Sequence, residues 1–195
     1  KIVQLSDIHI GPSIDLDDFD EILKLALLQK PNRVVITGDL IDKLAWLPQV
    51  CERLTTFAKQ IPDGVDFILG NHEYHHDVNK VLDSLKRNTP MNILVNSNIQ
   101  IMGGKQPVYI AGVAYDNDRE KEKREAMIDK ALSGIPDYAF VILLAHHPEF
   151  FEESIERKIP LTLSGHTHGG QIVFMGMPLV PTGTPYKIGR ASCRE

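Results

Sequence analysis

A chain of 195 residues, 43% hydrophobic and 24% charged, has the size of one ordinary domain and enough apolar content to bury a core, which excludes a disordered segment. Its 21 basic and 26 acidic residues give a formal net charge of −5, which argues against a nucleic-acid binder working through a broad basic surface. No apolar run approaches the roughly 18 residues of a membrane-spanning helix.

In chain order, short β-branched runs alternate with longer amphipathic stretches, the pattern of an α/β fold. Strands are expected at 2–5, 33–37, 65–69, 93–95, 99–102, 108–113, 139–145, 161–163 and 171–174. The first helix follows Asp15 as its cap and carries Leu16, Phe19, Ile22, Leu23, Ala26 and Leu27 at helical spacing. Stretches 47–60 and 77–87 repeat the pattern, and Cys51 in the former reads as a small buried hydrophobe. Stretch 119–132 interleaves Glu and Lys and reads as a solvated surface helix. Short strands crowd 92–113 after three βα units, so a strictly parallel sheet is not expected. Two cysteines, Cys51 and Cys193, supply neither a disulfide framework nor a zinc ribbon.

Function is written where the apolar runs stop. The first ends in Asp7-Ile8-His9, the second in Gly38-Asp39-Leu40-Ile41-Asp42, and the third in Gly70-Asn71-His72-Glu73. The run at 139–145 ends in His146-His147-Pro148, and that at 161–163 leads into Gly165-His166-Thr167-His168. Five runs read as buried strands thus end in Asp, His or Asn, and α/β sheets bind ligands at the carboxyl edge of their strands. Glycines 38, 70 and 165 allow sharp turns there.

Asp7, Asp39 and Asn71 offer oxygen donors, and His9, His146, His166 and His168 offer imidazoles. Hard oxygen with borderline nitrogen suits manganese, iron or zinc rather than calcium. Seven donors exceed one tetrahedral ion and fit two ions sharing a carboxylate. Two ions ~3.5–4 Å apart clamp a phosphoryl group and acidify a bridging water. Each block alone has an ordinary meaning: a turn for Gly-Asp-x-x-Asp, a helix start for Asn-His-Glu, one strand face for His166-x-His168. Their joint occurrence, in order and each behind a strand, carries the metal reading.

The five blocks resemble the signature of the calcineurin-like metallophosphoesterases: D-x-H, G-D-x-x-D, G-N-H-[DE], H and G-H-x-H. The resemblance runs to about Pro185. Leu5-Ser6-Asp7-Ile8-His9-Ile10-Gly11 and Ser164-Gly165-His166-Thr167-His168-Gly169-Gly170-Gln171-Ile172 are most similar to a bacterial, often membrane-associated branch. That branch includes broad phosphodiesterases and relatives acting in lipid A biosynthesis. The resemblance implies a four-layer αββα sandwich of mixed sheets with a dinuclear site at the strand ends. Asp7, His9, Asp39 and His168 would hold one ion; Asp39, Asn71, His146 and His166 would hold the other, with Asp39 bridging. His72 would be the non-ligand that contacts the phosphoryl group and assists the leaving oxygen. The family's H-x-P pattern selects His146 as ligand, leaving His147, His75 and His76 at the rim or behind the ligands. Asp42 is expected to support a loop or the ligands, and Glu73 either to orient His72 or to start a helix.

The implied activity is a hydrolase with two divalent ions (manganese, iron or zinc) that cleaves phosphodiester or phosphomonoester bonds by attack of a metal-bridging hydroxide. The implied partner is a phosphate-ester substrate, with peripheral membrane contact in the full-length parent and a bacterial, membrane-associated location. A nuclease is disfavoured by the acidic charge without a basic cluster. A protein Ser/Thr phosphatase is disfavoured because Lys43-Leu44 follows Asp42 where Arg-Gly is expected, and Leu69 precedes Gly70 where Arg is expected. A non-catalytic scaffold of the same fold typically loses ligands or the motif histidine, and both are retained. The apolar stretch Gly176, Met177, Leu179 and Val180 reads either as lipid-facing or as core.

The ending Ile188-Gly189-Arg190-Ala191-Ser192-Cys193-Arg194-Glu195 is what ATC GGA AGA GCG TCG TGT AGG GAA encodes, a string resembling a sequencing-library adaptor. Residues 187–195 are therefore expected to be a foreign tail that packs poorly. The domain is expected to span 1–186 and to be truncated at its C-terminus, where that branch continues into further strands. The opening directly on a strand likewise suggests a missing upstream segment.

Overall fold

The alternation of β-branched and amphipathic stretches becomes two separate α/β units, Lys1–Leu94 and Val95–Glu195, in a computed structural model. It describes residues 1–114 and 120–168, with the backbone of 173–174, 177–178 and 189–192.

The first unit runs β1 (Ile2–Leu5), α1 (Leu16–Leu28), β2 (Arg33–Thr37), a 3₁₀ turn at Leu44–Trp46, α2 (Leu47–Ala58), β3 (Val65–Ile68), α3 (Asn71–His75), α4 (Val78–Asn88) and β4 (Asn92–Ile93). Its four strands lie in the order β1-β2-β3-β4 and are all parallel. Every residue of β2 and β3 is buried, which is why their apolar residues do not alternate with solvent-facing ones. β1 lies at the sheet edge and is only partly buried, with Ile2 at 37% exposure, although its sequence reads as a buried strand. In α1 the expected cap forms: Asp15 accepts from the N–H groups of Asp17 and Asp18, and Asp18 accepts in return from that of Asp15. Phe19, Leu23 and Ala26 make its buried face. Cys51 is buried in α2 as expected.

The second unit runs β5 (Ser97–Met102), β6 (Val108–Gly112), α5 (Lys121–Leu132), β7 (Phe140–Leu144), α6 (Phe150–Glu156), β8 (Leu161–Ser164), β9 (Val173–Phe174), β10 (Met177–Pro178) and β11 (Gly189–Ser192). Its main sheet has the order β11-β8-β7-β6-β5. β6, β7 and β8 are parallel, whereas the outer strands β5 and β11 are antiparallel to their neighbours. β9 and β10 form a separate antiparallel pair. Alternate residues Ala111, Val113, Val141, Leu143 and Ala145 cluster with Ile128 and Ala131 of α5 and Phe150 of α6. The expected solvated helix α5 therefore has an apolar stripe. Arg124 and Lys121 of α5 also tie it to Glu153 and Glu156 of α6.

The crowded strands of 92–113 divide between the sheets. β4 closes the first sheet in parallel, so among the described residues the antiparallel pairing lies in the second unit, which β5 opens. Helix α6 was not foreseen, because seven residues are too few to show a helical period. The backbone of β11 pairs with β8 over Gly189–Ser192. Ile188 and Cys193, whose packing bears on the foreign-tail expectation, lie outside the described residues. So do Arg119, Gln171, Gly176, Leu179 and Val180.

Polar residues occupy both ends of the first sheet. At the amino end, the Arg33 guanidinium engages both oxygens of fully buried Asp66, and Asn92 Nδ2 donates to Asp66 Oδ1 at 2.8 Å. Removing one member leaves the other charged and buried. Asp66→Ala is expected to destabilise the fold by about 3–5 kcal/mol in urea unfolding. A loss below about 1 kcal/mol would show that Arg33 finds water or another partner.

Candidate metal centre

Parallel pairing puts the carboxyl ends of β1, β2 and β3 on one edge, and the loops beyond them continue to pair. Asp7 N–H donates to Gly38 O at 3.1 Å, His9 N–H to Asp39 O at 3.0 Å, and Asp42 N–H to Ile10 O at 2.9 Å. The D-x-H and G-D-x-x-D blocks are therefore laid side by side by backbone bonds. Gly38, at φ +90, makes the turn out of β2 in a region open to glycine.

Asp39 is the buried member of this edge, at 1% exposure. Its Oδ1 accepts from the backbone N–H of His72 at 2.9 Å, near the start of α3. Gly70 fits against it with no room to spare: a Cβ there would overlap the Oδ1 and backbone N of Asp39. Gly70 is extended, so its absence of a side chain serves close approach rather than a turn. Asn71, buried, opens α3 beside it.

His9 and His72 share one carboxylate oxygen. Asp42 Oδ1 lies 2.7 Å from His72 Nδ1 and 3.2 Å from His9 Nδ1. The other nitrogens face Asp39 Oδ2, Nε2 of His9 at 3.7 Å and Nε2 of His72 at 4.0 Å. The two rings meet edge to face at 4.3 Å. Asp42 thus takes the place beside His72 Nδ1 that Glu73 was one alternative for. Glu73 accepts from backbone N–H groups, including that of Gly70 before α3. His75 is exposed, its ring 5.3 Å from that of His72, and His76 is half-buried.

In the second unit, β7 and β8 end together. Gly165 N–H donates to His146 O at 3.0 Å just past the two strands. His146, His147 and His166 bring ligand-capable nitrogens within 4.8 Å of one another. The His146 and His166 rings are 5.3 Å apart, and His147 stacks on His166 at 3.7 Å. Glu149 Oε2 sits 3.0 Å from His147 Nδ1. His147 is buried. The sequence carried one signal for this, the carboxylate two residues on. His168 is half-buried.

Backbone conformation marks the same residues. Asp7, His9, Asp39, His166 and His168 are five of the eight non-glycine residues with positive φ among those described. That region costs an L-residue energy and persists where surroundings enforce it, most often at functional sites. The donor chemistry fits divalent transition ions: a buried carboxylate faced by imidazole nitrogens in the first unit, and converging imidazoles in the second.

The family model described as calcineurin-like phosphoesterase matches residues 1–170, and the chain belongs to that family. It is 38% identical over 178 residues to an uncharacterized metallophosphoesterase of Campylobacter jejuni, covering 88% of this chain and 45% of that one. An uncharacterized metallophosphoesterase of Aquifex aeolicus is 33% identical over 186 residues, 92% of this chain and 67% of its own. A Bos taurus transmembrane protein with metallophosphoesterase domain is 33% identical, over 88% of this chain and 41% of its own. The chain thus spans about half the length of the Campylobacter relative. No helix among the described residues is long and apolar enough to cross a membrane. Among solved structures, Thermus thermophilus 5'-nucleotidase precursor superposes with a TM-score of 0.52 at 14% identity, over 86% of this chain and 41% of that one. Haemophilus influenzae NAD nucleotidase gives 0.51 at 18%, over 86% and 38%. At these identities the likeness concerns the fold.

The tight seat of Gly70 is directly testable. Gly70→Ala should push the Asp39 carboxylate off its bond to His72 and cost about 1–3 kcal/mol of stability by overpacking, read by urea unfolding. An unchanged midpoint would mean that the two loops can separate freely.

Proposed function

We propose that this chain is a dinuclear-metal phosphoesterase hydrolysing phosphodiester or phosphomonoester bonds. In this reading Asp7, His9, Asp39 and His168 hold one ion, Asp39, Asn71, His146 and His166 hold the second, and Asp39 is shared. The observation that carries it is the placement of His72 between Asp42 and Asp39, with one ring nitrogen on each side. Two bound divalent ions would neutralise phosphoryl charge and lower the pKa of a water toward neutrality.

What remains is for the chain's own groups. His72, whose side chain is 35% exposed, can be reached by a substrate oxygen at Nε2. In this scheme Nδ1–H donates to Asp42, which fixes the ring. Nε2–H, on the other side of the ring, would then protonate the departing alkoxide, and the proton returns from solvent.

His72→Ala removes no ligand in this scheme, so bound metal should stay near the parent level. Turnover should fall about 10²–10⁴-fold, the usual worth of a positioned acid. The loss should be smaller for a nitrophenyl ester than for an alkyl ester, because a good leaving group needs little protonation. Asp42→Asn should reproduce the same leaving-group dependence with a weaker loss. Asp39→Ala should lose metal and turnover together. Metal analysis alongside hydrolysis of the two esters checks all three variants. Turnover unchanged in His72→Ala for both esters would end the assignment of His72 as the acid.

A further inference from the structure

The mechanism above gives no part to Glu73, although it is fully buried beside His72. A carboxylate leaves water only where donors replace its hydration. For Glu73 those donors come from two segments. Its Oε2 accepts from the N–H of Gly70 at 2.7 Å and of Asp39 at 3.0 Å. Its Oε1 accepts from the N–H of Leu40 at 2.7 Å and of Ile41 at 3.4 Å. In the reverse direction, His72 N–H reaches Asp39 Oδ1. The loop after β2 and the start of α3 therefore bond to each other both ways, across 30-odd residues of chain.

The bonds fall where Asp39 needs holding. Its φ is +51, a conformation that a non-glycine residue keeps only under constraint. Glu73 grips the peptide N–H groups of Asp39 and of the two residues that follow it. Charge-assisted bonds of this kind are about twice as strong as neutral ones. We propose that Glu73 is a positioning residue for the metal centre: by clamping the backbone around Asp39 it sets the affinity of that carboxylate for a divalent ion without being a ligand itself. The inference rests on the reading of Asp39 as a ligand. A glutamine in its place keeps one acceptor and turns an NH₂ toward N–H donors, so half of the clamp fails. Aspartate keeps the charge but is one methylene too short to serve both segments.

The test is Mn²⁺ titration of the metal-free chain by calorimetry, with thermal melting of the same samples. The parent is compared with Glu73→Gln, Glu73→Asp and Asp39→Asn. Glu73→Gln is expected to melt cooperatively and to bind Mn²⁺ about 10–100-fold more weakly, the usual effect of losing a group that orients a ligand. Should it not fold, Glu73→Asp carries the same comparison and the same expectation. A lowered melting point with parental Mn²⁺ affinity would overturn the inference, leaving Glu73 a structural residue. Failure of both Glu73 variants to fold would overturn it likewise. Parental affinity in Asp39→Asn would overturn the ligand reading and this inference with it. Loss in Asp39→Asn alone, with both Glu73 variants binding as the parent does, overturns only the clamp.

Discussion

A carboxylate buried at the end of a parallel strand has to be surrounded by donors, and much of the first unit's polar structure answers that requirement for Asp39. The backbone of α3 supplies one N–H to its Oδ1, Gly70 gives up a side chain to let it approach, and two imidazoles face its Oδ2. Its own backbone is bent into the left-handed region, as are those of Asp7 and His9 in the adjoining loop. The strain is local, and it is offset by the backbone bonds that zip the loops after β1 and β2 together.

The same sheet shows how differently polar residues serve at its two ends. At the amino end, Arg33 and Asp66 satisfy each other within a buried network that includes Asn92, and nothing there is aimed outward. At the carboxyl end, His72 is held on one nitrogen by Asp42 while the ring stays about a third exposed. The first arrangement holds strands in register. The second holds a partly exposed histidine ring in place.

How much of this was legible depended on whether a feature is local along the chain. The ends of β1, β2, β3, β7 and β8 could be read because a β-branched run followed by Asp, Asn or His is a local pattern, and β2 falls on the expected 33–37. The exposure of β1 could not be read, since edge position is decided by strand order across the sheet. Nor could the choice between Glu73 and Asp42 as the partner of His72. Glu73 is its sequence neighbour, but α3 turns that side chain back onto the β2 loop, while pairing of Asp42 with Ile10 carries the more distant carboxylate to the ring. His147 was placed outside the ligand set by its motif position; its burial and its stack on His166 follow from β7 and β8 ending side by side.

The proposed sharing of Asp39 between two ions is tested most directly by electron paramagnetic resonance of the chain loaded with manganese. Two ions bridged by one carboxylate lie close enough to couple, so the spectrum should show two Mn²⁺ per chain with a multiline, exchange-coupled signal. A six-line signal of isolated Mn²⁺, at one ion per chain when saturated, would contradict the dinuclear centre.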